Sequence, residues 1–261
     1  MQSEAEAKAC CADLYQSDMA KLIMGDTLHP GGLGLTNKLG RLMGLQSGDV
    51  VADLSSARGE NAQALGRVFR CKVLGIEFGA EAVRHAHDAA AESGRAHFVR
   101  GDAENLPLRT GAFDAAVCEC SMSLFMNKAQ AVAETARLLK PGGRFGLSDV
   151  TIEPGVLPAE LEGDLGQVLC MTSALTADGY VDLLEEGGFT VTERLDASGE
   201  IVKILDEVEG KLAAYLAFQR MTGAATGDSQ LERSPELVAR VREMVNAGEL
   251  GYWLYVGEKR D

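Results

Sequence analysis

The chain has 261 residues, 46% of them apolar, long for one domain and short for two, with ample material for a buried core. Asp and Glu number 39 against 25 Lys and Arg, and the net charge of -14 repels a phosphate backbone or an anionic membrane surface. Nucleic acid and membrane are therefore not expected as partners; no apolar run approaches the roughly 20 residues of a bilayer span. The stretch from Met1 to Glu6 lacks a basic start followed by an apolar run, so the expected location is cytoplasmic.

In chain order, residues 1 to 45 read as an N-terminal helical cap. Ala5 to Tyr15 and Ser17 to Ile23 have helical character, His29-Pro30-Gly31-Gly32 is a break, and Leu35 to Met43 resumes an apolar period near 3.6. Strand-like runs then alternate with helical patterns: Val50 to Asp53, Lys72 to Glu77, Ala96 to Asp102, Phe113 to Glu119, and Arg144 to Asp149 after Pro141-Gly142-Gly143. Such alternation implies right-handed crossovers and a parallel sheet, with ligands at the carboxyl ends of the strands. Each of these runs ends on an acidic residue.

Beyond the core, Leu161 to Met171 and Thr176 to Gly187 read as helices, the second closed by Gly187-Gly188, and Phe189 to Leu195 as an alternating strand. Ile201 to Met221 is a long amphipathic helix, Thr222 to Ser234 a polar loop, Pro235 to Val245 a short helix, and Gly251 to Gly257 an aromatic-rich closing strand. No repeat and no interdomain linker is visible.

The turn after the first run, Ser55-Ser56-Ala57-Arg58-Gly59, is built of small residues, as a backbone that a nucleotide approaches must be. Glu77 follows Gly59 at close to the spacing of a ribose-binding carboxylate, and Gly101-Asp102-Ala103-Glu104 offers a carboxylate and an amide to a base edge. One acid at a strand end is ordinarily a solvated residue or a helix cap. Acids at the proper ends of consecutive strands are harder to dismiss.

These motifs carry a resemblance. Val51 to Leu54, Gly101 to Pro107, Ala112 to Val117 and Leu138 to Arg144 resemble the class I S-adenosylmethionine-dependent methyltransferases. The resemblance implies an α/β, Rossmann-like, doubly wound sheet of seven strands, mostly parallel with an antiparallel last strand (Tyr252 to Val256). It further implies one domain over residues 1 to 261, with 198 to 248 inserted as a helical lid. S-adenosyl-L-methionine is the implied cofactor: Asp53 and the turn of Ser55, Ala57 and Gly59 hold its methionine portion, Glu77 the ribose, Asp102 and Ala103 the adenine. Glu119 joins this set at the end of the fourth run. The family usually has glycine where this chain has Ser55 and Ala57. An NAD-dependent enzyme would share Glu77 but not the other motifs.

The acceptor is read from the thiols. Six cysteines without a secretory signal are expected to be free. Any single thiol is more often core than ligand, and Cys71 and Cys118 are assigned to packing. Cys120 lies just past the fourth strand, Cys10-Cys11 has no evident packing role, and Cys170 precedes a helix. Ala9-Cys10-Cys11, the run Gly146 to Val150 with Leu157 to Leu161, and Cys170 followed by Ala174-Leu175 resemble the arsenite methyltransferases. That resemblance implies that Cys10, Cys11 and Cys170, with Cys120 as a further candidate, bind trivalent arsenic as substrate, free or glutathione-bound. Soft thiolates select such a centre, whose lone pair needs no protein base. The family's cysteine after the small-residue turn falls at Asn61 here. The alternatives are a small organic acceptor with Glu119 or His29 as base, and a non-catalytic sensor of the cofactor or a metalloid. His85, His87 and His97 are read as surface or packing residues, and Met122 to Met126 as pocket lining.

Overall fold

The computed structural model describes residues 28–90, 94–163, 166–167, 169–222 and 229–261, excluding the side chains of 212, 214–222 and 229–234. Its centre is a seven-stranded sheet in the order β3-β2-β1-β4-β5-β7-β6. The strands are β1 (Val50–Leu54), β2 (Lys72–Glu77), β3 (Ala96–Arg100), β4 (Phe113–Glu119), β5 (Leu139–Ile152), β6 (Phe189–Asp196) and β7 (Leu250–Lys259). All pairings from β3 through β5 are parallel, and β7 runs antiparallel to both β5 and β6. This is the doubly wound, mostly parallel sheet with an antiparallel last strand that the motifs imply.

The central strands are continuous apolar runs because both their faces are covered. Val51, Val73, Ala115 and Val117 point into one buried cluster, while Ala52, Ile76, Ala116 and Cys118 point into another. Helices α1 (Gly32–Leu42), α2 (Glu60–Phe69) and α3 (Ala80–Ala90) supply the first cluster through Leu39, Leu65 and Ala86. Helices α4 (Lys128–Leu138) and α5 (Ala177–Glu186) supply the second through Val132 and Leu184. Both of the latter start at side-chain caps, Asn127 accepting from Gln130 N–H and Thr176 from Gly179 N–H.

Between β6 and β7 lie α6 (Gly199–Thr222) and α7 (Ser229–Asn246), whose Ile201, Leu205, Val238, Val241 and Met244 join the first cluster. That cluster also holds Leu28, Cys120 and Cys170, so the base of this helical pair rests on the same face as the chain entering α1. Among the described residues, no helix is long and apolar enough to cross a membrane.

Several boundaries differ from the sequence expectation. Leu161 to Met171 is described only in part: a short 3-10 turn (Ala159–Leu161) leads into bends at 162–163, residues 166–167 are helical and 169–170 are a turn, while 164, 165 and 168 lie outside the described residues. The expected loop before Pro235 is in part helix, since α7 begins at Ser229 and runs through Pro235. β3 ends at Arg100 and leaves Asp102 in a tight turn, while β5 and β7 extend each other's pairing to Ile152 and Leu250. The expected helices before residue 28, including Cys10 and Cys11, lie outside the described residues. Met126 is exposed rather than pocket lining, while Met122 is buried. His85, His87 and His97 are exposed, as expected.

Candidate functional site

Asp53, Glu77 and Glu119, at the carboxyl ends of β1, β2 and β4, lie along the same rim of the sheet. Asp53 is paired in register with Gly75 and Val117, and Glu119 with Ser148, which puts the ends of β1, β2, β4 and β5 side by side. The turn after β1 is sharply bent. Ser55 (φ 58°), Ala57 (φ 47°) and Gly59 (φ 87°) all adopt left-handed backbone, and only the last is a glycine. Left-handed backbone costs an L-residue about 1–2 kcal/mol, so the turn is held by other contacts. A Cβ on Gly59 would run into the Phe98 ring. Gly59 also begins α2 with no side-chain cap, which leaves the amide end of that helix open to an acidic group.

Glu77 is the brace of this turn. Its Oε2 accepts the Ala57 N–H at 3.0 Å and its Oε1 the Gly79 N–H at 2.7 Å. Burial raises its pKa above the ordinary carboxylate range, and those two N–H groups oppose the rise. Asp53 is 3% exposed, and burial, with Glu119, Glu77 and Glu60 adding repulsion, holds its pKa well above the usual range. Asp53 Oδ2, Ser56 Oγ and Glu119 Oε1 are buried without a hydrogen-bond partner. Buried acceptors of this kind are costly unless something satisfies them. Ser55, Ser56, Ala57, Asn61, Glu119 and Ser121 line one small cavity here.

At the third strand, Asp102 accepts the Glu104 N–H at 2.9 Å and so shapes its own turn. Ala103 is buried, and Glu104 accepts the Met126 N–H at 2.9 Å, tying this turn to the loop after β4.

A buried polar network joins the α1 entry to the end of β4. Thr36 Oγ1 donates to Glu119 Oε2 at 3.2 Å, and His29 Nε2 lies 3.8 Å from the same oxygen. His29 Nε2 also lies 3.3 Å from Thr36 Oγ1 and 3.4 Å from Asn61 Oδ1. Burial raises the Glu119 pKa, with the His29 charge and the Thr36 hydroxyl opposing. His29 is therefore a buried partner of Glu119. Sequence spacing held no sign of this pairing, nor of Thr36.

The cysteines separate into two kinds. Cys71 is buried and donates to Leu65 O at 3.4 Å, and burial pushes its thiol up to about 11. Cys118 points into the α4 and α5 face, where burial raises its pKa further above the usual range. Cys120 and Cys170, 50 residues apart, meet: their Sγ atoms are 3.5 Å apart, and the Cys170 thiol also lies 3.2 Å from Cys120 O. Strand alternation would turn Cys120 toward the face of Cys118, yet it sits in the opposite cluster with Cys170. Its left-handed backbone, φ 52°, breaks the alternation just past the strand; Cys170 is left-handed as well, φ 60°. Asp149, to which the sequence reading gave no role, completes the group, with one carboxylate oxygen and both sulfurs within 4.8 Å of one another. The available signal was a lone carboxylate in the apolar run Gly146 to Val150.

Residues 52–147 match a family model described as a methyltransferase domain. The chain is 26% identical over 167 residues to an O-methyltransferase of Pyrenophora dematioidea, covering 63% of this chain and 62% of that one. It is 26% identical over 227 residues to an arsenite methyltransferase of Halobacterium salinarum, covering 79% and 56%. The chain thus spans about three-fifths of the length of these curated relatives. The crystal structure of the [4+2]-cyclase SpnF superposes with a TM-score of 0.73 at 21% identity, covering 99% and 97%, which shares the fold alone. Over residues 52–147 the chain is similar to a methyltransferase domain, and that likeness supports S-adenosylmethionine as the cofactor. The unpartnered Asp53 Oδ2 and Glu119 Oε1 suit a cofactor whose sulfur is cationic.

Proposed function

We propose that this S-adenosylmethionine-dependent methyltransferase methylates trivalent arsenic held by the thiolates of Cys120 and Cys170. The observation that carries the reading is the 3.5 Å approach of the two sulfurs at the rim of the sheet. Arsenous acid condenses with two thiols by forming two As–S bonds and releasing two waters. Soft sulfur donors favour that exchange over oxygen. The bound cofactor supplies an electrophilic methyl group on its sulfonium. The arsenic lone pair forms the new As–C bond while the methyl–sulfur bond breaks, so the sulfonium becomes a neutral thioether and arsenic is oxidised by two electrons. No proton leaves the acceptor in that step, and the protein's part is to position it and exclude water.

In the same reading Asp53 and the 55 to 59 turn receive the methionine portion, Glu77 the ribose, and Asp102 with the Ala103 amide the adenine. Cys10 and Cys11 complete the arsenic ligands, and residues 198 to 248 cover the site. Favouring the assignment of Glu77, its carboxylate already stands against the turn.

The buried His29–Glu119 pair, 3.8 Å apart beside the turn, favours a second reading, a small organic hydroxyl acceptor with this pair as base. The likeness to an O-methyltransferase agrees with it. One assay separates the two: methyl transfer from labelled cofactor to arsenite with glutathione, beside a panel of phenols and thiols. Transfer to arsenite supports the thiolate reading; transfer only to a phenol replaces it with the second.

A further inference from the structure

We propose that Cys120, Cys170 and Asp149 form a pre-built binding site for a thiophilic divalent cation of the zinc and cadmium class. The three donors come from the end of β4, from β5, and from the loop before α5, and each residue is buried with no measurable exposure. One sulfur from each cysteine and one Asp149 oxygen lie within 4.8 Å of one another. Zinc–sulfur bonds of about 2.3 Å at a tetrahedral angle place two sulfurs about 3.8 Å apart. The observed 3.5 Å is within a small adjustment of that edge. An S2O donor set leaves the fourth tetrahedral position for water or an acceptor.

The surroundings orient the donors as metal-site partners do. Asp149 Oδ2 accepts the Ser123 N–H at 2.8 Å and Oδ1 the Val150 N–H at 2.8 Å, which fixes the carboxylate and leaves lone pairs on both oxygens. The carbonyl of Cys120 stands 3.2 Å from Cys170 Sγ and holds that side chain. Two thiolates and a carboxylate with a divalent ion leave one net negative charge, and the Lys128 ammonium acts on Asp149 to offset it. Both cysteines also sit at left-handed backbone, a cost that simple packing would not need. Binding displaces two thiol protons and forms two metal–sulfur bonds, with no change of oxidation state.

This inference uses two thiols of the arsenic reading but does not rest on methyl transfer. The test is cadmium binding to the full chain carrying C10S and C11S, without cofactor or acceptor. Expected are one Cd2+ per chain with ultraviolet thiolate-to-cadmium absorption, and slower alkylation of Cys120 and Cys170, but not of Cys71 or Cys118, in peptide mapping in urea that opens all four buried thiols of the cadmium-free chain. Cys170→Ser should lose binding at least a hundredfold, and Asp149→Asn should weaken it about tenfold while keeping the two-thiolate absorption. Circular dichroism establishes that each variant is folded, and the alkylation map needs no variant at the site. Unchanged alkylation of Cys120 and Cys170 in saturating Cd2+ would overturn the site. Arsenite methylation assayed separately bears on the acceptor alone, so either idea can fail without the other.

Discussion

The Ala57 N–H donates to Glu77 Oε2 at 3.0 Å, so the carboxylate at the end of β2 holds the turn that follows β1. One residue thereby holds the shape of the turn and, in the proposed reading, also receives the ribose. Glu77→Ala is expected to lower S-adenosylmethionine affinity by roughly 1–3 kcal/mol, the scale of a hydrogen bond to a charged group. It should also lower stability, because the amides of Ala57 and Gly79 lose their acceptor. Calorimetric titration with thermal unfolding checks both. Wild-type affinity in the variant would refute the ribose assignment.

Ala57 adopts left-handed backbone, and its single methyl group is only partly buried against the core. Ala57→Gly relieves about 1–2 kcal/mol of strain and adds about 0.4–1 kcal/mol of unfolded-chain entropy. A net stabilisation of about 0.5–1 kcal/mol is expected in denaturant titration. A destabilised variant would show that the methyl group packs usefully in the cavity wall.

Burial lifts the Asp149 carboxyl from its ordinary 3.8 to about 6. The native state then binds this proton more tightly than the unfolded chain does, so the group costs stability as pH rises through roughly 4 to 6, and the cost is complete above that window. At about 1.4 kcal/mol per unit it amounts to about 2–3 kcal/mol at neutral pH. Asp149→Asn should therefore flatten the difference in denaturant midpoint between pH 4.5 and pH 7. A pH profile identical to that of the wild type would contradict the raised value.

On the thiols, Cys170→Ser is expected to abolish transfer to arsenite while leaving cofactor binding intact, since a hydroxyl is a poor ligand for a soft centre. The Cys10/Cys11 double serine variant should behave alike, and either single change should be partly rescued by its neighbour. Cys71→Ser should change stability only, because its thiol touches Leu65 O away from the rim. Full arsenite activity in Cys170→Ser would reduce this cysteine to packing.

How much of this was legible beforehand follows from the range over which each signal acts. Alternating strand and helix runs, the left-handed glycine of the first turn, and acids at Asp53, Glu77 and Glu119 are local patterns, and the parallel sheet with its ligand-facing rim follows from them. Local pattern is only partly reliable: the apolar spacing of Leu161 to Met171 fits a helix, yet among the described residues there only 166–167 are helical, and Gly163 lies in a bend. Pro235 looked like a helix start because it cannot donate to the carbonyl four residues back, yet α7 carries it within. Only the tertiary structure brought His29 and Thr36 to Glu119, and Cys170 with Asp149 to Cys120. Those partners are separated by 21 to 90 residues of chain, and spacing encodes no path for the loops between them. The left-handed residue that turns Cys120 across the sheet is set by the loop it enters, which no strand periodicity reports.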